Sequence, residues 1–429
     1  MFVNFMENTK KEKYQKIRGT EDWFNQYAKQ WLLIRNTCER IADQYGYSLI
    51  KTPVIENKNL FVRSIGKSSD IVKKEFYDFT DKGDREIVLR PEGTAPVIRA
   101  VVENKLLENN QLPLKFYYLE PMFRYERPQS GRLRQFHQFG VECIGSNSYY
   151  FDAETILMAI ECLKQLNIDN WKLTINNIGT FSSRQKWIDE LKVYFNQYIE
   201  QLTPDSVERI NTNPLRILDD KVDGTKIFVK NAPKIDQYLS NEEKDYFNNV
   251  CQLLKDANIE FEIDQTLVRG LDYYTNIVFE INSNNSILKG QPTIIGGGKY
   301  SKLVSELGGN DVSCIGFALG IERLAILLKH INDINKKLNG VTIALVNNSI
   351  PLKNYSFKLA NLLRKKGINC FVNYDANKLK AGFKLSELKQ SQYIFIIGEN
   401  ELKNQTVICK DQNNLAEKTL TIDEIKNWK

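Results

Sequence analysis

PMFRYERPQSGRLRQFHQFGVECIG, residues 121–145, is the segment that decides the fold. It reads as a strand, a basic loop and a second strand, which is typical of antiparallel sheet. We expect Arg124 to lie on the first strand. Gln138, Gly140 and Glu142 follow one another at a period of two on the second, so they share one face. Gly140 would let a ligand approach the backbone closely. The segment can therefore surround one small polar molecule, although a surface hairpin with ordinary charges has the same pattern.

The sequence on either side extends the sheet. Short strand-like runs alternate with turns through 75–143, and one helix at 94–107 interrupts them. Upstream, helical spacing of apolar residues predicts a long helix over 23–45. A strand over 47–55 contains Pro53, which lacks a backbone donor, so that strand is expected at an edge or an interface.

The remainder of the chain divides into further segments. A helix is predicted over 152–167, a mostly helical insertion over 170–260, renewed sheet from 261 and a helix over 320–330. After a linker at 331–340, strands alternate with helices over 341–429, which predicts a small α/β domain with a largely parallel sheet. The fold class is thus α+β: an antiparallel-sheet domain (1–169 and 261–330) with a helical insertion, followed by an α/β domain.

Composition excludes several classes of protein. With 42% hydrophobic and 26% charged residues the chain is globular, and no uncharged apolar run is long enough for a membrane span. The N-terminus lacks a signal-peptide core, so a cytoplasmic location is expected. Seven scattered cysteines without a CxxC pair argue against disulfides and a thiolate zinc site, and two histidines leave little material for a Ser-His-Asp triad.

The positive charge is concentrated at the C-terminal end. Residues 338–429 hold 14 Lys+Arg and 8 Asp+Glu, so the whole formal excess of +6 lies there. A basic module beside a neutral body indicates a polyanionic partner, although a solvated lysine-rich face would give the same count.

Two glycine-containing segments fail as nucleotide-binding motifs. Residues 66–68 (GKS) resemble the end of a P-loop, but the required earlier glycine is replaced by Phe61. Residues 296–298 (GGG) do not form GxGxxG. ATP, if bound, must be held in another way.

Three other segments carry candidate ligand contacts. LRPEGTAPVIRA, residues 89–100, puts Glu92 and Thr94 at the start of a helix, where Thr94 could equally be an ordinary N-cap. LVRGLDYYTNIVFEI places Arg269 in a strand beside a glycine that leaves room for a ligand. GFALGIERL, residues 316–324, places Arg323 on a helix.

Together, RPEGTAP, PMFRYERPQ…RQFHQFGVE, LVRGLDYY and GFALGIERL resemble in order and spacing the signatures of class II aminoacyl-tRNA synthetases and, more narrowly, of the histidyl-tRNA synthetase family. The resemblance runs from about Arg18 to the C-terminus and is weakest over 170–260. Two departures are Glu120, where the family usually has glycine, and GGGKYSKL, where Lys299, Ser301 and Lys302 differ from the usual GGGRYDGL.

The resemblance implies a role for each candidate residue. On the ATP side, Arg124 would grip the α-phosphate and Arg323 the γ-phosphate, with Glu126 and Phe136 at the adenine. Arg269 would bridge the substrate carboxylate and the α-phosphate. The remaining implied contacts are Glu92, Gly93, Thr94 and Gln138 around the histidine ammonium, Glu142 and either Tyr273 or Tyr274 at the imidazole, GGGKY as the pocket floor, and Arg127 and Gln129 toward the tRNA acceptor end.

The implied activity is ATP-dependent ligation of L-histidine to tRNA(His) through a histidyl-adenylate, with Mg²⁺ accompanying the ATP phosphates and no metal held by protein side chains. The family resemblance also implies a class II catalytic domain, an anticodon-binding domain over 341–429 and a homodimer. One alternative is the non-catalytic paralogue that regulates ATP phosphoribosyltransferase, which typically lacks the anticodon module. Another is a pure RNA-binding or scaffold protein, which would explain the basic tail but not four ordered motifs.

Overall fold

A computed structural model describes residues 14–65, 70–218, 220–271, 273–288, 292–330, 339–376 and 378–428. The chain divides into two units, Met1–Asn332 and Asp333–Lys429. The GKS triplet and most of the predicted linker lie outside the described residues. In the part that is described, no helix has both the length and the apolar character needed to cross a membrane.

The strands of the first unit are β1 Ser48–Leu49, β2 Ile55–Asn57, β3 Tyr77–Thr80, β4 Glu86–Leu89, β5 Leu114–Phe123, β6 Gln135–Ile144, β7 Trp171–Asn177, β8 Glu262–Ile263, β9 Tyr274–Ser283, β10 Thr293–Tyr300 and β11 Cys314–Gly320. Its helices are α1 Asn25–Gln44, α2 Lys58–Ile65, α3 Asp70–Lys74, α4 Thr94–Glu103, α5 Leu106–Asn109, α6 Tyr149–Gln165, α7 Phe181–Asn196, α8 Pro204–Thr212, α9 Leu215–Leu218, α10 Ile227–Lys230, α11 Asn241–Asp256, α12 Lys302–Glu306 and α13 Ile321–His330.

An eight-stranded sheet in the order β1-β5-β6-β11-β10-β9-β7-β8 organises the first unit. From β5 to β7 in this order, all neighbouring strands pair antiparallel. The outer strand β1 pairs parallel with β5, and the outer strand β8 pairs parallel with β7. A separate three-stranded sheet has the order β2-β4-β3. The antiparallel hairpin expected over 121–145 is therefore β5–β6, at the centre of this architecture.

Each face of the large sheet has its own core. On one face, α1, α6, α11 and α13 pack against apolar side chains that include Phe139 and Val141 of β6. Ile34, Cys38 and Ile41 follow the helical spacing along α1 and are fully buried there, which is why this segment forms a helix against the sheet. On the other face, α4 and α12 cover only part of the sheet, and the uncovered part carries the polar side chains of β6.

The predicted insertion differs from the structure at both ends. Residues 171–177 form β7 of the main sheet, so the prediction of helix from 170 was wrong there. α11 packs on α6 as part of the sheet's own core. Only the residues between these elements build a separate helical core, around Trp187, Leu191 and Phe195. The periodicity of α7 and α8 was visible in the sequence, whereas the pairing of β7 with β9 is a long-range contact that the sequence did not indicate.

Other boundaries also need correction. The strand expected over 47–55 is two short strands, β1 and β2, at the edges of different sheets, with Pro53 between them. The helix expected over 94–107 ends at Glu103 and restarts as α5. Arg124 lies just after β5, not within it. Arg269 lies in an irregular segment before β9, because this stretch of chain makes no ladder with a neighbouring strand.

The second unit contains β12 Val341–Leu345, α14 Ile350–Lys365, β13 Cys370–Val372, α15 Leu379–Lys389, β14 Tyr393–Ile397, α16 Glu399–Asn404, β15 Thr406–Asp411, β16 Glu417–Thr421 and α17 Ile422–Lys426. Its sheet has the order β13-β12-β14-β15-β16. The alternation of strand and helix predicted the parallel part, β13-β12-β14. The expectation of a largely parallel sheet is corrected by β15 and β16, which pair antiparallel.

Candidate functional site

A cavity of about 620 Å³ opens on the partly covered face of the large sheet. It brings together most of the side chains singled out from four separate sequence motifs. The predicted residues that line it are Glu92, Thr94, Arg124, Glu126, Phe136, Gln138, Glu142, Arg269, Tyr273, Tyr274 and Arg323. Gly93, Arg127 and Gln129 do not line it; the last two are exposed in the loop between β5 and β6.

Glu142 is almost completely buried, with 1% of its surface exposed, yet both of its carboxylate oxygens have partners. Oε1 accepts a hydrogen bond from Thr94 Oγ1 at 2.7 Å, and Oε2 accepts one from the Tyr300 hydroxyl at 2.6 Å. Burial, reinforced by the nearby carboxylate of Glu92, raises the pKa of Glu142 to about 8. A β-carbon at Gly316 on β11 would overlap this carboxylate, so glycine is needed for the arrangement.

Glu92 caps the helix that enters the site. Its two carboxylate oxygens accept the backbone N–H groups of Thr94 at 2.7 Å and Ala95 at 2.9 Å, at the N-terminus of α4. Thr94 is therefore not the N-cap, because its hydroxyl donates to Glu142 instead. Burial raises the pKa of Glu92. Gln138 presents a buried Oε1 without a hydrogen-bond partner to the same cavity. These groups form a polar end suited to a small cationic and hydrogen-bonding ligand.

The cavity also carries cationic side chains. Arg124, Arg269 and Arg323 all line it. Burial, together with the positive charge of Arg124, lowers the pKa of Arg323 to about 10. Burial also lowers the pKa of Arg124, although the nearby carboxylates of Glu75 and Glu92 oppose this effect. An anion with several charged oxygens would stabilise guanidinium groups that are gathered in this way.

Each arginine is oriented by a specific partner. Arg124 Nε donates to the Pro91 carbonyl at 2.8 Å, and its guanidinium lies 5.2 Å from the Phe136 ring centroid. Arg323 Nε donates to the Gly131 carbonyl at 3.0 Å.

Arg269 forms an ion pair with Glu280 of β9. Burial opposes its charge, but Glu280, Tyr274 and Tyr273 together outweigh burial, so the pKa of Arg269 is raised. Gly296 leaves space for this guanidinium, which a β-carbon would overlap.

The surroundings of Glu126 and Gly140 differ from those that the sequence led us to expect. Glu126 forms an ion pair with Arg132, so one of its carboxylate oxygens is already engaged. Gly140 was expected to leave backbone open to a ligand; this expectation was wrong, because the ring of Tyr118 occupies the space that a β-carbon there would need. The same ring also fills the space over Gly93.

The pocket floor expected from GGGKY is only partly formed by that segment. Gly296 and Tyr300 line the cavity, whereas Lys299 points to the other face of the sheet. There its ammonium donates to the buried Asp152 at 3.2 Å and to the hydroxyl of Tyr246 at 2.8 Å.

Sequence reasoning missed several residues of the site. Tyr118 lies on the cavity face, and Glu280 holds Arg269. Arg216 of α9, within the predicted insertion, also lines the cavity and donates to the Gly270 carbonyl at 3.1 Å. Nothing local in the sequence marked Tyr118, Glu280 or Arg216.

Comparisons with known proteins agree with this geometry. The family model described as "Histidyl-tRNA synthetase" matches residues 19–324, and the one described as "Anticodon binding domain" matches residues 341–428. The chain is 50% identical over 414 residues to the histidine–tRNA ligase of Malacoplasma penetrans, covering 96% of this chain and 97% of that protein. It is 47% identical to the histidine–tRNA ligase of Ureaplasma urealyticum, covering 97% and 99%.

A solved structure gives the same result for the fold. The crystal structure of apo histidyl-tRNA synthetase from S. aureus superposes with a TM-score of 0.80 at 34% sequence identity, covering 97% of this chain and 99% of that one. The predicted α+β class, with a synthetase-like sheet domain and a C-terminal α/β domain, is confirmed.

Proposed function

The chain belongs to the histidyl-tRNA synthetase family, and from this premise we propose that its cavity joins L-histidine to tRNA(His) with ATP, through a histidyl-adenylate. The observation that carries the proposal is one cavity that is lined both by three arginines and by the buried Glu142, Glu92 and Gln138. ATP is the polyanion and histidine the small polar cation that these two sets of side chains would take. Nothing supports the regulatory paralogue as an alternative.

In the first step, the histidine carboxylate attacks the α-phosphate and pyrophosphate leaves. This reaction needs positioning and neutralisation of charge more than covalent help from the protein. We assign Arg124 to the α-phosphate, Arg323 to the γ-phosphate and Arg269 to the carboxylate and α-phosphate together. Planar guanidinium groups can donate two parallel hydrogen bonds to such oxygens. The Glu280 ion pair supports the assignment of Arg269, because it orients that side chain before substrates bind.

For recognition of histidine, we assign the ammonium group to Glu92, Thr94 and Gln138 and one imidazole nitrogen to Glu142. The other nitrogen is assigned to a tyrosine hydroxyl, Tyr273 or Tyr274, both of which are buried beside the cavity. A site that hydrogen-bonds both nitrogens can favour histidine over an analogue that lacks one of them by roughly 10⁴ or more, because the analogue would leave a buried polar group of the site unpaired.

The adenine is assigned to Phe136 and Glu126. Phe136 lines the cavity beside Arg124, which supports a stacked base there.

Mg²⁺ is assigned to the β- and γ-phosphates of ATP. A small hard cation of this kind takes phosphate and water oxygens with only one or two carboxylates. Among the described side chains there is no group of three His, Cys, Asp or Glu placed to hold a metal. Bound in this way, the ion would add to the neutralisation of charge that the arginines provide.

In the second step, the 3′-terminal ribose hydroxyl of the tRNA attacks the activated carbonyl. We assign the exposed Arg127 and Gln129 to the acceptor end and the unit from 341 to the anticodon; the net charge of +6 over 338–429 supports the second assignment. We assign the sheet domain, including β7 and α11, to catalysis, and the helical residues between these two elements to an insertion. We also infer a cytoplasmic location, which the proposed role in translation supports.

A homodimer completes the proposal. Exposed apolar side chains occur on the first helix and on the two short strands that follow it. Leu32 and Leu33 lie on α1, Leu49 on β1 and Ile55 on β2. A partner subunit would cover such a surface.

An ATP–pyrophosphate exchange assay tests the function. The purified chain is expected to exchange labelled pyrophosphate into ATP only when histidine is added, and to charge tRNA(His) but not other tRNAs. Absence of histidine-dependent exchange in a folded protein would refute the proposal. Histidine binding without exchange would revive the regulatory paralogue, and tRNA binding without either would favour a scaffold.

A further inference from the structure

Arg90 is a completely buried arginine that no step of the proposed mechanism uses. None of its surface is exposed, although it directly precedes Pro91 and Glu92 at the edge of the cavity. A buried guanidinium needs hydrogen bonds for its five donors and an opposite charge. The partners that meet this need come from two other segments of the chain, 52–54 and 120–121.

The first set of partners lies in the connection between β1 and β2. Arg90 Nη1 donates to the Thr52 carbonyl at 2.8 Å, to the Thr52 hydroxyl at 3.1 Å and to the Pro53 carbonyl at 3.3 Å. The backbone N–H of Arg90 donates to the Val54 carbonyl at 2.9 Å. Arg90 therefore fixes this connection, which has no strand ladder of its own.

The second set lies at the end of β5. Arg90 Nε donates to the Pro121 carbonyl at 2.9 Å, and Nη2 donates to Glu120 Oε2 at 2.7 Å. Both side chains of this ion pair are buried. The other oxygen of Glu120 is buried without a hydrogen-bond partner, and the exposed Lys51 ammonium lies 3.9 Å from it. Glu120 is thus the charge that balances Arg90, at a position where the sequence departs from the family's usual glycine.

The residues that follow Arg90 and Glu120 along the chain connect this ion pair to the site. Phe123 N donates to the Arg90 carbonyl at 3.0 Å, and Arg124 Nε donates to the Pro91 carbonyl at 2.8 Å. The position of Pro91 therefore sets the direction of the Arg124 guanidinium.

We propose that Arg90 and Glu120 are positioning residues for adenylate formation: their buried ion pair holds Pro91 where its carbonyl aims Arg124 into the cavity. The inference rests on the proposed function, since Arg124 is taken to contact the α-phosphate. Neither residue of the pair touches substrate. Removing the charge of Glu120 leaves Arg90 with neutral oxygens only, mostly on the 52–54 side, and the guanidinium moves toward them. Pro91 then moves with it.

The test is Glu120→Gln in the full-length chain, measured by histidine-dependent ATP–pyrophosphate exchange. The amide keeps the shape and one hydrogen bond but not the charge. A shift of a few tenths of an ångström in Arg124 is expected to lower kcat about 10-fold with KM for ATP changed less than about 3-fold, because misplacement weakens transition-state contacts first. Glu120→Asp, which restores the charge, is expected to recover part of the rate.

Lys51→Met is the matched control, because Lys51 is exposed and lies near the same carboxylate. It is expected to retain the wild-type kcat. A Glu120→Gln protein with unchanged kcat would overturn the inference, whether or not its melting temperature falls, because a purely structural pair would alter stability alone. If Glu120→Gln does not fold, Thr52→Val removes one hydrogen bond to Arg90 and is expected to lower kcat about 3-fold; an unchanged kcat there overturns the inference as well.

The proposed function and this inference fail in different ways. Wild-type and Lys51→Met proteins that both lack histidine-dependent exchange would refute the function, and the inference with it. If the wild-type and Lys51→Met proteins show exchange and Glu120→Gln has the same kcat as wild type, only the positioning role is refuted.

Discussion

Replacing Glu142 with glutamine is expected to lower the use of histidine by an amount that grows with pH. The pKa of Glu142 is raised to about 8, chiefly by burial. At pH 7 about one molecule in ten carries the carboxylate that can accept an imidazole N–H, and above pH 9 nearly all do. A hydrogen bond to a charged acceptor contributes about 1.5–3 kcal/mol, which corresponds to roughly 10- to 150-fold in kcat/KM.

The wild-type to Glu142→Gln ratio of kcat/KM for histidine is therefore expected to reach that range at pH 9 and to be about tenfold smaller at pH 7. The ratio cancels the protonation of the histidine substrate, because this protonation affects the measurements on both proteins equally. KM for ATP is expected to stay unchanged. The assay is ATP–pyrophosphate exchange over pH 6–9. A ratio that does not vary with pH, or unaltered histidine kinetics, would refute the reasoning.

Two further measurements use the same carboxyl group. The Tyr300 hydroxyl donates to Glu142 and favours its ionised form, so Tyr300→Phe is expected to shift the rise in kcat/KM to higher pH. For stability, a carboxyl whose pKa is raised on folding favours the native state at low pH and loses that contribution as the pH rises toward its folded pKa. The melting temperature of wild type relative to Glu142→Gln is thus expected to fall between pH 5 and 8; a constant difference would contradict the burial argument.

The remaining predictions concern the cationic end, the sheet and the second unit. Arg269→Ala is expected to slow adenylate formation about 10²–10³-fold in single-turnover kinetics while the protein stays folded, and Arg269→Lys is expected to fail substantially too, because an ammonium cannot present two parallel donors; near-normal rates would leave Arg124 as the main phosphate contact. Lys299→Met is expected to lower the free energy of unfolding by about 3–5 kcal/mol in urea titration, because Asp152 would remain as an unpaired buried charge; a loss below about 1 kcal/mol, as at an exposed pair, would contradict this. A chain ending at Asn339 is expected to keep histidine-dependent exchange and lose most tRNA charging; unchanged charging would refute the anticodon assignment.

The sequence predicted what depends on short-range periodicity. The shared face of Gln138 and Glu142 followed from their spacing on β6, and the structure places both on the cavity. α1 and α13 followed from helical spacing against the sheet. These features could be predicted because a strand repeats every two residues and a helix every 3.6, whatever the rest of the chain does.

Features set by register between distant segments could not be predicted. Gly140 lies opposite Tyr118 in the pairing of β5 with β6, so the gap that glycine leaves is filled by that ring and not by a ligand. The ion pair of Arg269 with Glu280 depends on how the chain before β9 folds back over the sheet. Lys299 was placed on the pocket floor, although its neighbour Tyr300 lines the cavity and the Lys299 side chain points to the opposite core.

Burial disfavours the charges of both kinds of side chain in the cavity, and this links stability to selectivity. Burial lowers the pKa of Arg323 to about 10 and raises that of Glu142 to about 8, so each group is less inclined to carry its charge than it would be in water. A triphosphate relieves the first and an imidazole N–H the second. Because relief requires a matching group for each side chain, a ligand that lacks one of these groups gains less from binding. The same burial that disfavours these charges therefore makes the cavity selective for the pair of substrates together.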